Sequence, residues 1–154
     1  MQSTKWLGID FGTVRLGFAC ADQKTAIAFP ITTYTRQGEK RDTAYIQKLV
    51  REEKVNAIVV GLPVRGDGSK GEKANEALQF GEWLAKITGL PVRYYDERYS
   101  TFDAESSLRF AGLSPMKRKQ IRDQVAAQII LQSFLDAGCP NDDHSGPLQS
   151  PFAD

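Results

Sequence analysis

Val55-Asn56-Ala57-Ile58-Val59-Val60, closed by Gly61, is the segment that most narrows the folds open to this chain. A short β-branched run that is apolar at nearly every position has no face to give to water. It reads as a strand covered by helices on both sides, the mark of a parallel α/β sheet. Its flanks agree. Glu39 to Lys54 switches to helical period, with Ala44, Tyr45, Leu49 and Val50 set among charges, and a second helix carries Ala74, Ala77, Leu78, Trp83 and Leu84. Between the strand and that second helix, Leu62 to Gly71 is too rich in glycine for regular structure and reads as a loop.

Upstream the period is two. Lys5 to Phe11 and Arg15 to Ala21 read as strands joined by a tight Gly12-Thr13 turn, and a third strand lies within Ala26 to Tyr34, where Ile27, Phe29 and Ile31 alternate. Pro30 cannot donate a ladder hydrogen bond, which assigns this strand to an edge or a bulge. Downstream, Leu90 to Asp96 forms another strand. Ser100 reads as the cap of a further helix with Asp103 three positions on, and a last helix runs from about Met116 to Ala137. The order β-β-β-α-β-α-β-α-α describes one α/β domain of five strands and about four helices. A chain of 154 residues with 41% apolar content suits one such core.

The formal charge of +1 hides an asymmetry, because four Asp and no Lys or Arg follow Leu135. The preceding body is therefore basic and compatible with a polyanionic partner. We expect a domain over 1–138 and a flexible acidic tail over 139–154. The one histidine, His144, lies in that tail, which argues against histidine acid-base catalysis. Cys20 and Cys139 lie far apart and near no metal-ligand spacing, so reduced thiols are expected rather than a disulfide or a zinc site. No run nears the roughly 18 apolar residues of a membrane span. The start MQSTKW lacks the layout of a secretory leader, and a cytoplasmic location without a membrane partner is expected.

Three acids stand where carboxylates need compensation. Asp10 interrupts an apolar strand, Glu97 follows the strand VRYYD, and Asp123 shares a helix face with Ala127, Ile130 and Phe134. Burying a lone carboxylate is costly unless it is paired, hydrogen-bonded or bound to metal. Taken singly, an ion pair with Arg15, Arg98 or Arg122 accounts for any one of them. Taken together, Asp10 and Glu97 at the carboxyl ends of neighbouring parallel strands, with Asp123 brought in on a helix eased by Ala126 and Ala127, favour a shared cation site. Oxygen donors without imidazole or thiolate select Mg²⁺ or Mn²⁺ over zinc, and two such ions can align water and leaving group for phosphodiester hydrolysis.

Four blocks carry a resemblance: GIDFGTVRLG (Gly8 to Gly17), VVGLPVRGDGSKG (Val59 to Gly71), DERYST (Asp96 to Thr101) and KRKQIRDQVAAQIILQSFLD (Lys117 to Asp136). In order and approximate spacing the chain resembles the YqgF family, Holliday-junction-resolvase-like proteins described as candidate nucleases of pre-16S ribosomal RNA. That resemblance implies an RNase H-like fold with strand order 3-2-1-4-5, the first three strands antiparallel. It implies that Asp10, Glu97 and Asp123 are the acidic triad, with Asp96 as an auxiliary ligand. Arg15, Lys70, Arg98 and Arg122 are its candidates for contact with substrate phosphates. Arg122 departs from the family pattern, which is commonly apolar just before the helical acid. The implied partner is nucleic acid, pre-rRNA ahead of branched DNA, with the small ribosomal subunit as a further candidate. An RNA-processing enzyme can act as a monomer, whereas a junction resolvase should be a symmetric homodimer.

Two other classes compete. GIDFGT also resembles the first phosphate loop of actin- and Hsp70-type ATPases, but those need two such domains around the nucleotide. A non-catalytic RNA- or ribosome-binding module would instead use Lys117, Arg118, Lys119 and Arg122 on phosphates and treat the acids as structural. Tight ATP affinity would mark the first, and metal dependence lost on changing Asp10 separates the nuclease from the second.

Overall fold

A computed structural model describes residues 3–63, 71–96 and 112–140. In chain order the elements are β1 (Lys5–Asp10), β2 (Arg15–Asp22), β3 (Ile27–Thr35), α1 (Glu39–Glu53), β4 (Ala57–Leu62), α2 (Glu72–Thr88), β5 (Val92–Asp96) and α3 (Pro115–Asp136). The strands form one sheet in the order β3-β2-β1-β4-β5. Contacts β1/β2 and β2/β3 are antiparallel, while β1/β4 and β4/β5 are parallel. This is the expected order. Three helices lie among the described residues, and the helix expected from Ser100 falls outside them.

Pro30 acts as anticipated in both senses. β3 is the sheet edge, and its pairing with β2 slips at Pro30: Phe18 faces Thr32 while Ala19 faces Pro30, leaving Ile31 as the extra residue of a bulge. Two other expectations shift. β4 begins at Ala57 rather than Val55, because the Val55 amide still donates to Val50 O at 3.2 Å as α1 ends. It also runs through Gly61, which pairs with Tyr95, to reach Leu62. On α1 the buried stripe is Asp42, Ile46 and Leu49, and Ala44 faces solvent. Ile46 has more apolar surface to hide than Ala44, so the helix turns that way and carries Asp42 inward with it.

Strand alternation divides the core in two. One face, with Leu7, Ile9, Leu16, Phe18, Ile58, Val60, Leu62 and Tyr94, packs under α1 and α2. The other, with Trp6, Ala19, Ala21, Ala57, Val59 and Tyr95, packs under α3. Trp6 and Tyr95 both meet the Phe134 ring of α3 edge-on, at 4.8 and 6.0 Å. Among the described residues no helix is long and apolar enough to cross a membrane.

Candidate active site

Small residues decide where Asp123 goes. A methyl group at Gly8 would lie 2.8 Å from Leu131 Cβ, and one at Gly17 would overlap the Asp123 carbonyl oxygen. Only bare backbone on β1 and β2 lets α3 sit this low on the sheet. Polar clamps hold it there: Gln132 accepts from the Ala28 amide at 2.9 Å and donates to Ala26 O at 2.9 Å, while Gln128 donates to Ala28 O at 3.0 Å. The Thr33 hydroxyl bonds to Gln120 O. These contacts fix both the rotation and the depth of α3.

Gly17 is also the antiparallel partner of Asp10. Paired Cα atoms across such a ladder are about 4.5–5.5 Å apart. The strand residue that touches the Asp123 backbone is therefore the one standing beside Asp10. Alternation puts Asp10 on the face of Trp6 and Gly8, which is the α3 face. Two of the three expected acids thus converge at one end of the sheet, and both are partly exposed.

Arg15 completes what is described of this cluster. It starts β2, two positions before Gly17 and on the same face, and its Nε donates to Asp123 Oδ2 at 2.7 Å. The two side chains are 31% and 22% exposed, so a phosphate or cation can reach either one. This is the ion pair that the sequence allowed for a single acid. Arg122 is exposed on α3, and Thr13 is exposed in the turn between β1 and β2. Glu97, Arg98 and Lys70 lie outside the described residues.

Asp96 sits differently from the role the resemblance gave it. It closes β5 opposite Leu62, is 5% exposed, and by alternation belongs to the Tyr94 side, facing away from α3. As described, the auxiliary-ligand role does not follow from its position.

An acid that the sequence reading passed over is Asp42, 1% exposed beneath α1. It accepts from Tyr34 Oη at 2.8 Å, the Gln37 amide at 2.8 Å and Arg36 Nε at 3.3 Å. Burial raises its pKa, but these three donors outweigh burial and hold the carboxyl below its ordinary value. Burial, then the bond to Asp42, push the Tyr34 hydroxyl up to about 12. The available signal was its spacing, four and seven positions before Ile46 and Leu49. Beside it a cleft of about 650 Å³ is lined by Phe11, Arg36, Glu39, Glu76, Phe80 and Trp83. It lies on the α1/α2 side of the sheet. A smaller cleft of about 480 Å³ opens beside Arg15.

Asp10 and Asp123 supply carboxylate oxygens and no nitrogen or sulfur, a donor set that fits a hard divalent cation. Among the described residues no three His, Cys, Asp or Glu side chains gather to hold a metal. The third donor required is the one expected at Glu97.

A single five-stranded mixed sheet in the order β3-β2-β1-β4-β5, with its first three strands antiparallel, is the RNase H-like fold. The solved structure of Thermus thermophilus RuvC in complex with a Holliday junction substrate shares this fold, with a TM-score of 0.54 at 17% identity over 88% of this chain and 96% of that one. The sequence profile of the family described as "RuvX: Holliday junction resolvase" matches residues 4–137, and the chain belongs to that family. Its relatives include proteins named as candidate pre-16S rRNA nucleases. One from Anaeromyxobacter sp. (strain Fw109-5) is 43% identical, covering 86% of this chain and 96% of its own. Another from Chloroflexus aurantiacus is 41% identical, covering 94% and 95%.

Proposed function

We propose that this protein is a metal-dependent endonuclease that cuts phosphodiester bonds in the maturation of pre-16S rRNA. The observation that carries the reading is that Gly17, the ladder partner of Asp10, lies against the backbone of Asp123. Asp10 and Asp123, with Glu97 as the third donor, would hold Mg²⁺ or Mn²⁺. When held there, such cations would supply Lewis acidity for activating water and positive charge opposite the phosphate.

The protein's own groups do the rest. Asp10, anchored in a strand with neighbours on both sides, fixes one edge of the site against movement. Asp123 is held by a helix clamped to β2 and β3, so its carboxylate is oriented before substrate arrives, as catalysis by positioning requires. Arg15 neutralises Asp123 when no substrate is present and is close enough to turn its guanidinium to a phosphate oxygen, which it can hold in a bidentate fork.

The names of the relatives favour RNA. A second reading, resolution of DNA junctions, is favoured by the description of the family itself. One experiment serves both: incubate a labelled pre-16S rRNA fragment and a four-way DNA junction with Mg²⁺ or Mn²⁺, using the unmodified protein and Asp10→Asn. The expected result is metal-dependent cutting of the RNA that Asp10→Asn abolishes. Cutting of the junction alone would transfer the assignment to the second reading, and cutting that survives Asp10→Asn would end both.

A further inference from the structure

Between the β1–β2 turn and the start of α3 lies the cleft of about 480 Å³, with Val14, Arg15, Thr35, Met116, Lys119 and Gln120 among its walls. Two of these are large apolar side chains left in water, Val14 at 60% exposure and Met116 at 72%. Scattered singly they would need no explanation. Here they line one depression, which also holds the Arg15 guanidinium and so adjoins Asp123. Met116, Gln120 and Asp123 follow one another at four and then three positions along α3, a single helix stripe leading from the cleft to the acid.

Among the described residues the charged side chains that line the cleft, Arg15 and Lys119, are both cations. Lys117, Arg118, Lys119 and Arg122 crowd the beginning of α3, and no acid occupies its first turn. Cations at the positive end of a helix oppose its dipole, and an external anion would relieve that opposition. Apolar surface for a base, hydroxyl and amide groups for base edges, and cations for phosphate describe a place for one nucleotide. A paired base hides its faces in the helical stack, so only an unpaired one can use Val14 and Met116.

We propose that this cleft seats an unpaired nucleotide of the RNA strand next to the scissile phosphate, with its base against Val14 and Met116 and its phosphate on Arg15 and Lys119. The inference rests on the nuclease reading and adds a substrate class to it: the strand is single at the cut. Cleavage would then select unpaired stretches through packing on a base face rather than through base sequence.

The test is equilibrium binding without turnover, with Ca²⁺ as the only divalent ion. The probes are a short single-stranded RNA carrying 2-aminopurine and the same sequence as a duplex. The proteins are the unmodified chain, the double variant Val14→Ser with Met116→Ala, and Lys119→Ala. Both apolar residues are exposed, so the variants should fold, which circular dichroism checks. We expect the double variant to lose about tenfold on the single strand and nothing on the duplex. Lys119→Ala should weaken both probes and flatten their salt dependence. Equal losses on the two probes, or no loss on the single strand, would overturn the proposal. Should the selective loss occur while Mn²⁺ never elicits cutting by the unmodified protein, the nuclease reading fails and the nucleotide site stands. Cutting without selective loss sinks the site alone.

Discussion

On the α1 side of the sheet, Asp42 is 1% exposed and receives three donors; on the α3 side, the Asp123 side chain is 22% exposed and meets one guanidinium. Both are acids on helices packed against the same strands. The first has its charge matched within the fold, each donor coming from the chain itself, so it serves stability. The second keeps lone pairs free and lies at the surface beside Asp10, so it can serve chemistry. The faces differ to match. Large aliphatic side chains fill the α1/α2 side, while Gly8, Gly17, Ala19, Ala21 and Ala57 leave α3 to pack by close backbone approach and glutamine clamps. A close-packed apolar layer seats α1 and α2 by side-chain fit, whereas a site built across two elements also needs the helix backbone held at a set depth.

Substituting Asp42 should expose this contrast most strongly. Asp42→Ala strands the Tyr34 hydroxyl, the Gln37 amide and Arg36, and should cost about 3–5 kcal/mol, or about 10 °C in a thermal melt. The protein that remains folded at 25 °C should cut at the unmodified rate. A matching loss of specific activity would dissolve the distinction between the two acids.

Gly17→Ala follows, with an expected cost of about 2 kcal/mol, because the new methyl meets Asp123 backbone rather than a movable side chain. Here activity should fall further than stability, by about a hundredfold, since α3 must lift and displace Asp123. Chemical denaturation and cleavage rates on the same samples check this.

Acid should act on one side of the sheet first. A carboxyl whose pKa is lowered by folding stabilises above its unfolded value of about 3.9, and that contribution is lost as pH falls through the folded value. Thermal melts of the unmodified protein should therefore decline below about pH 4, and Asp42→Asn should flatten that decline. Tyr34, raised to about 12, works in the opposite direction: its contribution is intact below about pH 10 and fades as pH climbs toward 12. Parallel pH curves for the two proteins would contradict the assignment.

The smallest effect on stability belongs to Arg15→Ala. Its ion pair with Asp123 is about a quarter exposed and screened, so the loss should stay under about 1 kcal/mol. Affinity for RNA should nevertheless drop, and Mn²⁺ should bind Asp123 more readily once the competing guanidinium is gone. Isothermal titration on the variant measures both.

Much of this architecture was legible in periodicity. The apolar run at Val55 to Val60, the doubled-up strands before it and the proline at the edge each have a local cause, and sheet order followed from the resemblance they support. Asp10 and Asp123 were legible because an acid in an apolar stripe asks for a partner. Asp42 sits in such a stripe too, but its partners Tyr34, Arg36 and Gln37 come from β3 and the segment after it, and only the folded chain shows that they converge. Asp96 illustrates the reverse. The resemblance gave it an auxiliary-ligand role, while strand alternation puts it on the Tyr94 side of the sheet, away from α3. Gly17 was read as part of a strand and a motif, and its contact with Asp123, more than a hundred positions away, required the packing of α3.

The most direct measurement is Mn²⁺ titrated calorimetrically into four proteins: unmodified, Asp10→Asn, Asp123→Asn and Asp42→Asn. Both Asp10→Asn and Asp123→Asn should weaken binding by about a hundredfold, with Asp42→Asn equal to the unmodified chain. Four equal affinities would show that the acids beneath α3 hold no metal and would contradict the proposed nuclease site.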